Sequence, residues 1–263
     1  MTQAQHQASI IQQFTRQAGP FAAMPEHSEE SAFRLMLEST GVTSSDTVLD
    51  VACGPGLVAC AFAVRAAWVT GIDITPAMID KARQLQEDKG ITNVEWNNAD
   101  VLPLPYADES FSTVITRYSF HHFLDPFRVF MEMHRVCKRN GVLMVVDVAI
   151  PSEKRAAYDH LEKLRDPSHT SACTPEELLG MAERLKLARV TTHWYRLAME
   201  LERQLAASFP RPGDDETIRA LLRNDIGQDH LGMGAHWVGA EIHFAYPTLI
   251  LVGRKGGRYG RWR

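Results

Sequence analysis

The chain has 263 residues, 45% apolar and 23% charged, enough to bury a sizeable core in one or two domains, which excludes a small scaffold stapled by disulfides. Lys+Arg number 28 and Asp+Glu 32, a net charge of -4, so no chain-wide field points to nucleic acid or an anionic membrane surface as a partner.

Residues 1–14 contain neither lysine nor arginine and no long apolar stretch, so they lack the features of a secretory signal. From about Asp46 to Asp147 short β-branched runs alternate with amphipathic stretches, the pattern of β-α units on a parallel sheet. Thr47 to Val51 predicts a first strand, Leu57 to Val64 a helix after a glycine turn, and Trp68 to Ile72 a second strand. The next helix is well punctuated, with Thr75 as N-cap, Pro76 at its first position, Met78, Ile79, Ala82 and Leu85 on one face, and Gly90 as its stop. Asn93 to Asn97 and Phe111 to Thr116 predict two more strands. Asp125 and Pro126 open a helix expected to run through Cys137 and end near Gly141, and Val142 to Ile150 predicts a fifth strand. These strands are almost continuously apolar, so helices are expected on both faces.

After Pro151 the alternation fails. A helix over Ser152 to Leu164, a polar run from Arg165 to Thr174 and a helix over Pro175 to Leu185 come first, then a sixth strand over Arg189 to Tyr195 and two more helical stretches. Glu241 to Val252 predicts a long closing strand in which Pro247 argues for an edge or a bulge. The tail from Arg254 to Arg263 carries five basic residues and no acid, and reads as a solvated end without a role. The longest apolar runs are cut by Arg65 and Asp147 well short of the roughly 18 to 20 residues that span a bilayer. Cys53, Cys60, Cys137 and Cys173 form no C-x-x-C pair, which predicts reduced thiols and a cytoplasmic enzyme. His160, His193, His230, His236 and His243 show no metal-ligand spacing, so no metal is expected.

The most informative segment is Val48 to Gly56, VLDVACGPG, a strand running straight into Gly54-x-Gly56 and a helix. Glycines there allow a ligand to approach the backbone at a helix N-terminus. With Ala59 the turn also fits the relaxed dinucleotide fingerprint, and Asp73 lies near the position of a ribose-binding acid, so a nicotinamide-dependent oxidoreductase is one reading. Two features oppose it. Asp50 stands four residues before Gly54, where its carboxylate repels a pyrophosphate and attracts an ammonium group, and Pro55 has no N–H to donate. Asp100 closes the third strand, so Asp50, Asp73 and Asp100 offer partners for an ammonium, a ribose diol and an adenine amine in chain order.

The chain resembles the class I S-adenosylmethionine-dependent methyltransferases, within them the small-molecule branch that includes the ubiquinone and menaquinone biosynthesis C-methyltransferases. The resemblance rests on Val48 to Gly56, Gly71 to Ile74 (GIDI), Asn98 to Pro105 (NADVLPLP), Ser119 to Phe123 (SFHHF) and Arg135 to Leu143, and covers roughly residues 10–150. It implies an α/β, doubly wound, Rossmann-like and mostly parallel seven-stranded sheet with an antiparallel last strand and helical additions. The expected organisation is N-terminal helices over the cofactor (1–45), the binding core (46–150), and substrate-side helices and closing strands of the same domain (151–263). For S-adenosylmethionine, the resemblance puts Asp50 and the Cys53, Gly54 and Gly56 turn on the methionine portion and Asp73 on the ribose. It puts Ile74 and Met78 on the adenine faces, Asp100 on the adenine amine, Val101 on its edge and Arg117 on the carboxylate. Gln13 to Ala18, with Phe14, resembles the helix that folds over the cofactor and excludes water from it.

His121 and His122 follow the fourth strand at the open end of the sheet, where ligands bind in doubly wound folds, and either is a candidate base. In the irregular half, His169 is a third candidate base and Arg165 a partner for a substrate carboxylate; Tyr118, after the fourth strand, is a second substrate-binding candidate. The expected reaction is methyl transfer to a small molecule by in-line displacement. A cofactor-binding module without catalysis is the remaining alternative.

Overall fold

A computed structural model describes residues 2–24 and 29–256. The basic tail beyond Gly256 lies outside the described residues. In chain order the elements are α1 (Gln3–Ala23), α2 (Glu30–Thr40), β1 (Thr47–Val51), α3 (Leu57–Ala63), β2 (Trp68–Asp73), α4 (Pro76–Asp88), β3 (Val94–Asn98) and β4 (Phe111–Arg117). A single 3-10 turn, Phe120–His122, leads to α5 (Pro126–Val136), β5 (Cys137–Val148), α6 (Ser152–Arg165), α7 (Pro175–Arg184), β6 (Ala188–Glu200), α8 (Leu201–Ser208), α9 (Asp214–Asp225), β7 (His236–Val238) and β8 (Glu241–Arg254).

The strand order is β3-β2-β1-β4-β5-β8-β6, with β1 to β5 mutually parallel and β8 antiparallel to both of its neighbours. This is the doubly wound sheet with an antiparallel last strand that the sequence predicts. The short β7 pairs with β8 as an eighth strand; all three of its residues are exposed, so no apolar pattern marked it. β8 and β6 come from the last third of the chain and complete the sheet begun by β1 to β5.

The two faces follow from alternation along each strand. Val48 packs with Met36, Phe62 and Val58 on the α2 and α3 side, whereas Leu49 packs with Val129, Phe130 and Met133 on the α5 side. A third cluster, with Tyr158, Leu197, Leu205, Leu222 and Phe244, fills the space between α6, α8, α9 and the ends of β6 and β8. Helix α1 packs on α4 and α8. Among the described residues no helix is long and apolar enough to cross a membrane.

Three expectations are corrected. Helix α5 ends at Val136, not near Gly141, because Cys137 turns extended (φ −74°, ψ 135°) and already pairs with Phe111. Residues 138–141 then form an irregularity before Val142 pairs with Thr113; a Cβ on Gly141 would stand 2.7 Å from the Ser112 carbonyl oxygen, so glycine serves a close approach there and not a helix stop. β6 runs on to Glu200 because β8 offers it a partner along most of its length. β8 is an interior strand, so Pro247 marks neither an edge nor a break in the β6 register. Its missing N–H falls just beyond the last β5 pair, Val148 with Thr248, and its carbonyl accepts from the Ala149 N–H at 3.0 Å.

Gly56 shows how tightly the first turn is set. It precedes α3 at φ +81°, and an added Cβ would meet the Trp96 ring at 2.6 Å and the Ala82 Cβ at 2.9 Å. Gly56→Ala is therefore expected to cost about 2 to 4 kcal/mol from overpacking and left-handed strain together, read as a lower urea midpoint with unchanged slope.

Candidate active site

The β2 and β4 strands leave β1 on opposite sides, so the sheet has its switch point at the C-terminal ends of β1 and β4, where open α/β sheets bind ligands. A cavity of about 230 Å³ lies there. One end is built by the turns after β1, β2 and β3, the other by residues from α6, α8 and β8, and α1 covers both.

At the first end Ala52, Gly54 and Gly56 take positive φ, which folds the chain back after β1. Asp73 Oδ2 accepts the Gly54 N–H at 2.9 Å and Oδ1 the Thr75 N–H at 2.8 Å, so one carboxylate joins two turns while lining the cavity. Burial pushes the Asp73 carboxyl above its ordinary value, against the pull of those two N–H groups. Asp100 is on the same wall: Oδ2 accepts from Gln7 Nε2 at 2.6 Å and Oδ1 from the Leu102 N–H at 3.2 Å. Ile74, Met78, Val101, Cys53 and Phe14 also line the cavity. Burial raises the Cys53 thiol pKa, so it stands there as a neutral group.

Two of the expected cofactor residues, Gly56 and Asp50, are not part of the lining. Gly56 is spent on the Trp96 packing described above. Asp50 lies beneath the turn, 1% exposed, with Oδ2 lacking any hydrogen-bond partner. Burial lifts its carboxyl to about 8, with a further push from the Asp73 charge. With its pKa at about 8 the carboxyl is protonated near neutral pH, and a cation at the glycine turn would favour its ionised form.

Arg117 also lines the cavity, with its guanidinium 4.7 Å from the Tyr118 ring centroid and 5.2 Å from that of Phe33. The Tyr118 ring is on the lining, but its hydroxyl is shared with Tyr195 (2.9 Å) and Thr248 (3.0 Å).

The histidines separate clearly. His121 lines the cavity, and its Nδ1 is 2.5 Å from Asp147 Oδ1. Asp147 is held in turn by the N–H groups of Phe120 (2.6 Å, on Oδ2) and Val148 (2.7 Å, on Oδ1). Burial alone would lower the His121 pKa, but the Asp147 carboxylate outweighs it and leaves it above the ordinary histidine value; Asp147 is held correspondingly low. With Nδ1–H directed to the carboxylate, Nε2 carries the lone pair of the neutral ring. His122 also lines the cavity, with Phe14 edge-on at 5.0 Å; burial and the His121 charge depress it to about 3, so it remains neutral. His169 does not line the cavity. It lies behind the wall with its side chain 0% exposed and Nε2 on Asp159 Oδ1 at 2.7 Å. That carboxylate also accepts from Ser171 and the Ala172 N–H, so His169 holds the polar run in place and does not face a substrate.

Arg165 lines the cavity but is not an open fork for a carboxylate. Its Nε and Nη2 both bind Glu162 Oε2 (2.9 and 2.5 Å), and Nη1 donates to Ser208 Oγ at 3.2 Å. The Tyr246 hydroxyl donates to Glu162 Oε1 at 3.1 Å, which completes a neutralised, buried network.

Sequence reasoning missed Asp147, Glu162, Gln204 and Tyr246, and in α1 also His6 and Gln7. Asp147 left a signal, a lone acid inside the apolar run of β5, which is tolerable only with a built-in partner. His6, Ile10, Gln13, Phe14 and Gln17 also left one, a helical stripe spaced three or four apart. The stripe clamps α1 down: His6 Nε2 lies 2.6 Å from the His122 carbonyl, and Gln13 and Gln17 both donate to the Ser208 carbonyl, at 2.7 and 3.1 Å.

This donor set fits a positively charged nucleoside and not a dinucleotide. The Gly54 N–H already belongs to Asp73, Pro55 has none, and two carboxylates face the space a diphosphate would need.

The methyltransferase-domain profile matches residues 49–145. An uncharacterized methyltransferase of Bacillus subtilis, YcgJ, is 26% identical over 246 residues, 92% of this chain and 97% of that protein. The 2-phytyl-1,4-naphtoquinone methyltransferase of Nostoc is 30% identical and the ubiquinone/menaquinone biosynthesis C-methyltransferase of Citrifermentans bemidjiense 28%. These alignments span 46% and 45% of this chain and only 55% and 52% of those proteins. The crystal structure of YcgJ superposes with a TM-score of 0.80 at 24% identity, covering 87% of this chain and all of that one. That of a methyltransferase from Bacillus halodurans gives 0.79 at 25% identity, with 86% and 100% covered. With its sheet and its switch-point cavity, the chain carries a methyltransferase domain over residues 49–145 and is similar along most of its length to methyltransferases.

Proposed function

We propose that the protein transfers a methyl group from S-adenosylmethionine to a small molecule bound at the α6, α8 and β8 end of the cavity. The observation that carries this reading is a single cavity with Asp73 and Asp100 on the wall at one end and His121, braced by Asp147, toward the other. S-adenosylmethionine supplies, when bound, a methyl group on a sulfonium that is already activated for displacement. The protein's own task is then positioning, exclusion of water and, where the acceptor is protonated, removal of a proton.

By this reading Asp73 holds the ribose hydroxyls, Ile74, Met78 and Val101 enclose the adenine, and Asp100 takes its amine in exchange for Gln7. The turn at Cys53 and Gly54 holds the methionine portion above Asp50, with Arg117 toward its carboxylate. Helix α1, with Phe14, keeps water out. His121 Nε2 takes the acceptor proton. His122, neutral and tied at Nδ1 to Ser168, supports the wall without acting as a base.

Protein incubated with methyl-labelled S-adenosylmethionine and a metabolite extract is expected to yield a labelled small product together with S-adenosylhomocysteine. A complete absence of labelled product, with the cofactor bound, would favour a non-catalytic binding module. Asp73→Ala is expected to weaken S-adenosylhomocysteine binding by about 1 to 3 kcal/mol through lost charge-assisted hydrogen bonds, read by calorimetric titration. Unchanged affinity would place the ribose elsewhere.

A further inference from the structure

The acceptor end contains a polar atom that none of the described residues satisfies. Gln204, on α8, is 7% exposed and lines the cavity, and its Oε1 is buried without a hydrogen-bond partner. Its Nε2 donates to the Tyr246 hydroxyl at 3.4 Å. That hydroxyl spends its own proton on Glu162, so the amide has one sensible orientation: flipping it would set two acceptors face to face. A buried carbonyl held in this way, with no donor, is a place for a ligand's donor.

The charges around it restrict the ligand further. Glu162 and Arg165 neutralise each other through two hydrogen bonds, and Asp147 is committed to His121. The remaining walls include Val148, Leu197 and Ala207 with the rings of Tyr158 and Tyr246, and Asp166, a further acid on the lining, is held by the Ser168 N–H and hydroxyl. Among the described residues lining this end the Arg165 guanidinium is already neutralised, and an anion placed there would lose its water without compensation.

We infer that Gln204 is a specificity-determining residue of this enzyme: its Oε1 receives a hydroxyl or N–H of a neutral, apolar-bodied acceptor, and anionic acceptors are rejected at the same end. The inference rests on the methyltransferase reading and adds to it the chemical class of the acceptor.

Three compact probes test it against the full chain saturated with S-adenosylhomocysteine, by ligand-detected NMR titration. Resorcinol has two donors and no charge, 1,3-dimethoxybenzene the same ring without donors, and 3-hydroxybenzoate a donor and an anion. Resorcinol is expected to bind at least about fivefold more tightly than either of the others, the size of one hydrogen bond gained or one charge stranded. Gln204→Leu, with its thermal midpoint and S-adenosylhomocysteine affinity recorded in parallel, is expected to bring the resorcinol to dimethoxybenzene ratio to within about twofold by removing the acceptor atom. Because the comparison of probes is complete in the unaltered protein, it stands even if the variant fails to fold. Equal binding of resorcinol and dimethoxybenzene, absence of saturable resorcinol binding, tighter binding of 3-hydroxybenzoate, or an unchanged ratio in a folded Gln204→Leu protein would each overturn the inference while leaving the cofactor reading intact. Failure to bind S-adenosylhomocysteine at all would instead overturn that reading and this inference with it.

Discussion

Asp147→Asn is expected to lower kcat by about 10²- to 10³-fold, with S-adenosylhomocysteine affinity changed by no more than about twofold. Asp147 fixes which nitrogen of His121 carries the proton. A carboxylate accepts from Nδ1–H and leaves the Nε2 lone pair for the acceptor, whereas an amide at the same place is free to donate to Nδ1 and so select the opposite tautomer. The pH profile separates this from simple loss of packing. Burial lowers the His121 pKa and Asp147 raises it further than burial lowers it, so the acid limb of kcat/KM in the unaltered protein is expected above the ordinary histidine value of 6.5. Without that carboxylate burial, the largest influence, dominates, and the limb moves to lower pH. A variant that loses rate while its acid limb stays in place would show that Asp147 is structural only.

Glu162→Gln is expected to destabilise the fold by about 3 to 5 kcal/mol, measured by urea unfolding near neutral pH. The variant leaves the buried Arg165 guanidinium without a counter-charge, and replaces the acceptor of the Tyr246 hydroxyl by a weaker one. Replacing both members of the pair, Glu162→Leu with Arg165→Met, is expected to recover most of the loss, because the desolvation cost of two ions disappears together with their attraction. The pair also sets an acid limit. Burial raises the Glu162 pKa, but Arg165 outweighs it and holds the value below the ordinary 4.5. Its contribution is therefore complete above about 4.5, the unfolded value, and is lost as the pH falls through the lower folded value. Glu162→Gln removes this part of the acid sensitivity. An acid-unfolding midpoint identical in the two proteins would contradict the assignment.

How far the sequence reached depends on the distance between partners. The β1 turn was legible because strand, glycines and acids are contiguous, and Asp73 answers Gly54 only 19 residues away. The parallel β-α character followed from alternation along the chain, and the antiparallel last strand from the resemblance. The half around His121 and Arg165 was less legible. His121 was visible as a type of residue at the open end of a strand, but His169 had the same appearance and is turned into the wall by Asp159. What makes His121 different is Asp147, 26 residues on, and what closes the Arg165 fork is a carboxylate one helical turn earlier whose other oxygen answers Tyr246, 84 residues on. Gln204 carries no signal of its own, since a glutamine on an amphipathic helix is ordinarily solvated. Its orphaned oxygen exists only after α8 has packed against β8. Asp50 was read one layer too high, because its spacing to Gly54 fixes that it meets the turn but not that it does so from below.

The most direct test of the cavity's purpose is a pair of calorimetric titrations, S-adenosylhomocysteine and NAD, into the same preparation. Expected is saturable, single-site binding of S-adenosylhomocysteine, at least about 100-fold tighter than NAD and weakened by Asp73→Ala. Saturable NAD binding with none for the sulfur nucleoside would contradict the assignment at its root.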